Sequence, residues 1–140
     1  MKSEEQGVKD EEKNEEVPQD LNALSVEALS EYIRRVIIRE RLYLNAQFDR
    51  QAAVNYFHQS KERIGAAFSQ GSEFHTIADF INHCRLDYAK ELLAVNSEMP
   101  VDDIASASGF STRRTFSRLF KERYSITPTE YRNQNKVGNT

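Results

Sequence analysis

The chain has 140 residues, of which 39% are hydrophobic and 29% are charged. This length and composition are typical of one globular domain, or of a small domain with polar tails. The single cysteine, Cys84, allows no internal disulfide, so we expect a reducing compartment. The apolar runs are too short to cross a bilayer, and the acidic N-terminus lacks the apolar segment of a secretory signal. These features exclude membrane-spanning and exported classes and predict a cytoplasmic protein.

Charge is segregated along the chain. The net charge of −3 averages over a first segment, residues 1–20, in which eight acidic and three basic residues give −5. Between Ser111 and Lys136, seven basic residues and two acidic ones give +5. A polyanion such as a phosphate backbone responds to this local excess and not to the overall charge.

Residues 1–22 contain too few apolar side chains to offset the entropy of ordering, so we predict a disordered acidic tail or linker. Two interpretations remain open. The segment is a solvated linker or leader, or it is an acidic tail that competes with an anionic partner for the basic face.

The first half of the chain predicts three helices. One begins after the N-cap Ser25 and carries a buried stripe of apolar residues at helical spacing. A second spans about Asp49 to Phe57, and a third follows the N-cap Ser60. A glycine in its middle, Gly65, weakens that third helix by about 1 kcal/mol relative to alanine. The second and third helices with their short turn form a helix-turn-helix pattern.

A long helix is predicted from the cap Thr76 to about Val95. It is apolar on two sides, as in a helix buried between two partners. About twenty residues at 1.5 Å rise make it roughly 30 Å long, enough to join two small units.

The stretch from Pro100 to Tyr131 repeats the helix-turn-helix pattern more strongly. A short helix leads to a turn at Gly109, and we expect Ser111 to cap the basic helix that follows. That helix has apolar side chains at i, i+3 and i+4 and, on the opposite face, basic side chains at i, i+4 and i+7. The apolar set is Phe116, Leu119 and Phe120; the basic set is Arg114, Arg118 and Lys121. Such a helix buries one side and offers the other to an anionic partner.

The segment Thr127-Pro128-Thr129-Glu130 has the pattern of a capping box with proline at the first helical position. It predicts a short terminal helix through Arg132, followed by a polar tail at residues 135–140. The fold class is therefore all-α, with about seven helices.

These residues resemble the DNA-binding domain of AraC/XylS-type transcriptional regulators, over about Ser25 to Gln134. The resemblance is strongest in Ile104-Ala105, Gly109-Phe110-Ser111, Phe116-Ser117-Arg118-Leu119-Phe120-Lys121, Thr127-Pro128 and Tyr131-Arg132. Arg85-Leu86, Ala89-Lys90 and Leu92-Leu93 are similar to the family's linker helix. The resemblance implies a first helix-turn-helix unit at about residues 23–75, a linker helix at 76–95 and a second unit at 96–134.

The resemblance also implies that both recognition helices enter successive major-groove segments of double-stranded DNA, about 34 Å apart. Base contacts from the second unit would come from Thr112, Arg113, Arg114, Thr115, Ser117 and Arg118. Lys121 and Arg132 would contact phosphates, which set register without reading sequence.

The first unit departs from the family pattern. Gly65 and Ala66 stand where long polar side chains are common, and they can offer at most a methyl contact to thymine. The remaining candidates for DNA contacts there are Ser60, Lys61, Glu62 and Arg63. We therefore predict that the first unit reads fewer bases than the second.

Other function classes are weaker. A helical protein-interaction module that has lost DNA binding is the alternative, and salt-dependent binding to duplex DNA separates the two. No nucleophile–base set, carboxylate pair or phosphate loop indicates an enzyme, and no cofactor is predicted. The three histidines and Cys84 lack metal-ligand spacing.

Family members usually carry an effector-sensing or dimerising domain, which this chain lacks, so we expect either a fragment of a longer regulator or a minimal regulator. RNA polymerase is an expected partner if the protein is an activator.

Overall fold

The computed structural model describes residues 20–96 and 98–138, which form an all-α fold without β-strands in that part of the chain. The seven α-helices of these described residues are α1 (Val26–Arg39), α2 (Arg50–Phe57), α3 (Lys61–Ser69), α4 (Ile77–Val95), α5 (Val101–Ala107), α6 (Arg113–Tyr124) and α7 (Pro128–Gly138). Two short 3-10 turns, Leu21–Ala23 and Leu42–Leu44, complete the secondary structure. The predicted fold class is confirmed.

Most of the predicted acidic tail, residues 1–19, and the last two residues of the predicted polar tail lie outside the described residues. Residues 20–22 were included in that tail. In the structure Leu21–Ala23 form a 3-10 turn instead, and the Asp20 side chain accepts a hydrogen bond from the Asn22 N–H at 3.0 Å.

Local capping chemistry sets the start of most helices. The side chains of Ser25, Ser60 and Thr76 each accept a hydrogen bond from the backbone N–H three residues later, at 3.0–3.1 Å. These bonds satisfy N–H groups that have no partner inside the helix. The three N-caps predicted from sequence are confirmed.

The long helix α4 supplies two separate hydrophobic cores. Its first half, from Ile77 to Cys84, packs with α1, α2 and α3 in the first core. Its second half, from Leu86 to Leu93, packs with α5 and α6 in the second core. The sequence pattern predicted that both sides of this helix are apolar. In the structure its first half packs in one core and its second half in the other.

Each core is built around fully buried side chains. The first contains Leu29, Ile33, Ile37, Ile64 and Phe68, none of them accessible to solvent. The second contains Ile104, Phe116 and Phe120, also with no accessible surface. Complete burial of an aliphatic or aromatic side chain contributes about 1.5–3 kcal/mol, so each unit has its own source of stability.

The last helix begins at the predicted capping box and runs further than predicted. The Thr127 N–H donates to Glu130 Oε1 at 2.9 Å, and the Glu130 N–H donates to Thr127 Oγ1 at 3.0 Å. The bond from Thr127 lowers the pKa of Glu130. The predicted end at Arg132 is wrong, because α7 continues to Gly138. Asn135 stabilises this extension by donating to the Tyr131 carbonyl at 3.0 Å.

The helices of the described region include none that is both long enough and apolar enough to cross a membrane.

Two glycines, one in the middle of α3 and one just after its end, provide a matched test of this packing. A Cβ added at Gly65 would meet nothing within 4 Å, whereas one at Gly71 would lie 2.5 Å from the Val26 carbonyl oxygen. We expect Gly65→Ala to raise the free energy of unfolding by about 0.5–1 kcal/mol, because alanine is the better helix former. We expect Gly71→Ala to lower it by about 1–3 kcal/mol through overpacking.

Urea denaturation followed by circular dichroism measures both changes. Shifts of the two variants in the same direction would contradict the packing described here.

Candidate nucleic-acid interface

The helix α6 separates an apolar face from a basic one. Phe116 and Phe120 are fully buried in the second core. Arg114, Arg118 and Lys121 are exposed to solvent. The helical spacing predicted this separation, and the packing confirms it.

The start of α6 differs from the prediction by one residue. Thr112, not Ser111, is the N-cap, and its hydroxyl accepts a hydrogen bond from the Thr115 N–H at 3.2 Å. Serine and threonine are both favoured N-caps, so two adjacent hydroxyl residues leave the start of the helix open by one position in the sequence. The Thr112 hydroxyl is therefore occupied by the fold, whereas Thr115 and Ser117 lie half-buried beside the basic face.

Two of the exposed arginines form weak surface ion pairs. Arg113 Nη1 lies 3.3 Å from Asp102 Oδ1, and Arg118 Nη1 lies 3.5 Å from Glu122 Oε2. All four side chains are at least half exposed. Such pairs contribute about 0–1 kcal/mol, so a phosphate or a base edge can displace the carboxylate. Arg114 has no ion pair or hydrogen bond within the described residues.

The other end of α6 faces the linker helix. Arg123 contacts His83 and Asp87 of α4, and the Tyr124 hydroxyl donates to Asp87 Oδ1 at 3.0 Å. Burial, followed by the neighbouring Asp87 carboxylate, raises the pKa of Tyr124. Arg123 thus differs from the other basic residues of α6 in pointing toward the protein, a difference that the sequence pattern did not reveal.

The two predicted phosphate contacts occupy different environments. Lys121 is exposed at the basic face. Arg132 is half-buried, and its Nη2 donates to the Met99 carbonyl at 2.6 Å. This bond joins α7 to the segment before α5, so the structure gives Arg132 a role in the fold that the sequence did not predict.

In the first unit, Arg63, a predicted DNA-contact residue, forms hydrogen bonds within the protein. Arg63 is half-buried, and its Nη2 donates to the Leu21 carbonyl at 2.8 Å, while Nε donates to Gln59 at 3.5 Å. Ser60 is occupied as the cap of α3. Lys61 and Glu62 are exposed in the first turn of the same helix.

A groove of about 710 Å³ lies beside the middle of α3. Gly65 lines it together with Asp49 and Arg50 at the start of α2 and with Thr76 at the start of α4. The partial positive charge of both helix starts and the Arg50 guanidinium favour a negative ligand in this groove, whereas the Asp49 carboxylate opposes one. The sequence did not predict the exposed Arg50 as a candidate DNA contact. Its position directly after the N-cap Asp49 was the available signal that it lies at a helix start.

The chain matches known proteins in both sequence and fold. A family model described as a helix-turn-helix domain matches residues 53–134. The uncharacterized HTH-type transcriptional regulator YijO of Escherichia coli K12 is 32% identical over 108 residues, which cover 77% of this chain and 36% of YijO. The regulatory protein SoxS of the same strain is 37% identical over 59 residues, or 42% of this chain and 54% of SoxS. The chain thus spans about a third to a half of the length of these relatives.

Solved structures show the same arrangement of helices. The C-terminal domain of the two-component response regulator yesN from Fusobacterium nucleatum aligns with a TM-score of 0.64 at 28% identity, over 73% of this chain and 95% of that one. The C-terminal domain of the response regulator AraT from Geobacillus stearothermophilus aligns with the same TM-score at 22% identity, over 80% and 88% of the two chains, a likeness of fold alone. The family match, the two helix-turn-helix units and the linker helix together show that the chain belongs to the AraC/XylS type of helix-turn-helix transcriptional regulators.

Proposed function

We propose that this chain binds double-stranded DNA in a sequence-specific manner and thereby regulates transcription. The observation that carries the proposal is the two-sided helix α6, with Phe116 and Phe120 in the core and Arg114 exposed without a protein partner among the described residues. A helix of this kind can lie in a major groove with its core-facing side still packed. Of the proteins to which the chain is similar, YijO is named as a transcriptional regulator and SoxS as a regulatory protein.

The second unit, which we assign to residues 96–134, carries most of the base reading. Arg114 and Arg118 can each fork onto guanine O6 and N7, the commonest specific contact in the major groove. Arg113 adds a third such side chain once its ion pair with Asp102 opens. Thr115 and Ser117 are close enough to the basic face to contribute short hydroxyl contacts, and Thr112 positions the helix through its cap.

The first unit, which we assign to residues 23–75, binds DNA mainly through the backbone. Lys61 is exposed at the start of α3, and Arg50 lines the same groove as Gly65. Both side chains are suited to phosphates. Glu62 is the one acidic candidate and can accept from a cytosine amino group. Without a side chain at Gly65, the middle of α3 reads few bases.

The linker helix α4 sets the distance between the units. Its 19 residues correspond to roughly 28 Å at 1.5 Å per residue. Successive turns of the major groove are about 34 Å apart, so two units held by such a helix can occupy neighbouring segments of one groove. We propose this arrangement for the chain, with α3 and α6 as the two recognition helices.

On the basis of the family, we also propose that the protein is not an enzyme and that it acts in the cytoplasm. RNA polymerase is the proposed partner if the protein activates transcription.

In vitro selection of bound duplexes from a random pool tests the function as a whole. We expect an asymmetric site with two blocks about one helical turn apart, the block for the second unit being the better defined. Binding should weaken steeply as salt rises, because each phosphate contact releases counterions. A protein-interaction module would select no duplex, and that result would overturn the proposal.

Single arginine substitutions test which side chains read bases. We expect Arg114→Ala to cost about 1–3 kcal/mol of binding free energy on the selected site and to relax the preference at one position. Arg123→Ala is the matched control on the same helix, because Arg123 faces α4, and it should leave the preference unchanged. Fluorescence anisotropy with single-base variants of the site measures both effects.

Arg63→Ala extends this test to the first unit. Because Arg63 donates a hydrogen bond to the Leu21 carbonyl, its loss should lower the free energy of unfolding. The sequence preference should change little. If Arg63→Ala relaxed the preference more than Arg114→Ala, the assignment of base reading to the second unit would be wrong.

Lys121 and Arg132 form a second matched pair. Lys121→Gln should reduce the slope of log affinity against log salt by about 1, as expected for one lost phosphate contact. Arg132→Gln should leave that slope unchanged and lower the free energy of unfolding by about 1–3 kcal/mol, because its charged hydrogen bond to the Met99 carbonyl is lost. If both variants reduced the slope of log affinity against log salt equally, Arg132 would be a phosphate contact after all.

A further inference from the structure

Arg85 lies at the point of α4 where one core ends and the other begins. Cys84, the residue before it, is the last residue of α4 in the first core, and Leu86, the residue after it, is the first in the second core. Arg85 belongs to neither core. Its side chain is therefore available to hold the two units to each other.

The guanidinium of Arg85 bonds to the backbone of the first unit. Its Nε donates to the Tyr43 carbonyl at 2.7 Å, and its Nη2 donates to the carbonyls of Asn45 and Phe48 at 3.0 and 3.2 Å. These carbonyls lie in the segment that connects α1 to α2, and Phe48 directly precedes the N-cap of α2. Arg85 thereby ties the start of the first helix-turn-helix motif to the linker helix.

The second unit meets the same cluster through its tight turn. Gly109 has φ +96°, a backbone conformation that side chains disfavour. A Cβ there would lie 2.9 Å from Arg85 Nε and 3.2 Å from Leu44 Cα, and it would collide with the Tyr43 carbonyl oxygen. The turn between α5 and α6 therefore rests directly on the first unit and on Arg85.

We propose that Arg85, together with Gly109, is a positioning residue that fixes the spacing and rotational phase of α3 and α6, so that the two units engage DNA as one rigid body. This inference rests on the proposed function. The packing of each core on α4 sets the separation of the units and constrains their rotation about its axis. The Arg85 cluster adds a direct contact between the two units, because it joins the entry to α2 with the turn before α6.

The consequence for binding follows from effective concentration. When two units are held in the right phase, binding of the first makes binding of the second intramolecular. If the phase varies, each unit keeps its own contacts while the gain from joint binding falls. Loss of the cluster should thus weaken binding to a two-block site and leave binding to an isolated block unchanged.

The test compares wild type, Arg85→Met, Arg85→Lys and Gly109→Ala on three kinds of duplex. These are the selected two-block site, the same site with its first block scrambled, and two-block sites with one or two base pairs inserted between the blocks. Ile33→Val, a change in the first core on α1 and outside the cluster, is the control for general destabilisation.

For Arg85→Met we expect at least a tenfold loss of affinity on the two-block site, a change below about twofold on the single block, and a flatter dependence on spacing than in wild type. Arg85→Lys, which keeps the charge with fewer donors in a different geometry, should be intermediate, and it carries the test if the methionine variant does not fold. Gly109→Ala reaches the cluster from the second unit and should also flatten the spacing dependence, while its strained turn lowers binding to the single block as well. Ile33→Val should retain the wild-type spacing dependence.

A distance measurement without DNA separates this proposal from the proposed function. Spin labels on Ser69→Cys and Glu122→Cys, in a background with Cys84→Ala, report the separation of α3 and α6. We expect a narrow distribution with Arg85 present and a broader one in Arg85→Met or Arg85→Lys. A narrow distribution in both variants, or a wild-type spacing dependence in both, would overturn the positioning role.

A broadened distribution in a protein that binds no duplex would support the positioning role while overturning the proposed function.

Discussion

The helix α4 contributes one half of its length to each of two hydrophobic cores, and the placement of every other element depends on that division. Neither unit can close its core without α4, because Phe80 and Ile81 complete the first and Ala89 and Leu93 complete the second. A single helix shared in this way couples the stability of two units. It also holds them at a fixed separation, whereas a flexible linker of the same length would allow a range of separations.

Burial of the aromatic side chains gives the second unit its sharper division into faces. Phe110, Phe116 and Phe120 form a chain of ring contacts with centroids 5.2 and 5.7 Å apart, and Tyr131 of α7 joins it at 5.9 Å. The contacts from Phe110 and Tyr131 orient α6 from two sides. With its inner face fixed so firmly, the opposite face can carry several positive charges without loss of the fold.

The same physical chemistry explains what could be predicted from sequence. Helix starts depend on local hydrogen bonds between residues three apart, so Ser25, Ser60 and Thr76 could be identified as caps. The fold class and the basic face of α6 followed from periodicity and from the family resemblance. The cap of α6 was misplaced by one residue because Ser111 and Thr112 have equivalent local chemistry.

The arginines could not be sorted in this way. Arg63 and Arg85 bond to backbone carbonyls 42 positions away in the chain, and Arg132 bonds to one 33 positions away. In sequence these residues are indistinguishable from Arg114, which stays in solvent. Only the tertiary structure decides which cation serves the fold and which one is available to a ligand, because the deciding partner is a distant carbonyl.

The open space at Gly65 has a consequence for how such a protein can change over evolutionary time. A Cβ added there would meet nothing within 4 Å, and the new residue would replace the one least suited to a helix interior after proline. Most substitutions that alter recognition cost stability and must be compensated elsewhere. At this position a new contact and a more stable helix can arise from one substitution, so the specificity of the first unit can drift while its architecture stays constant.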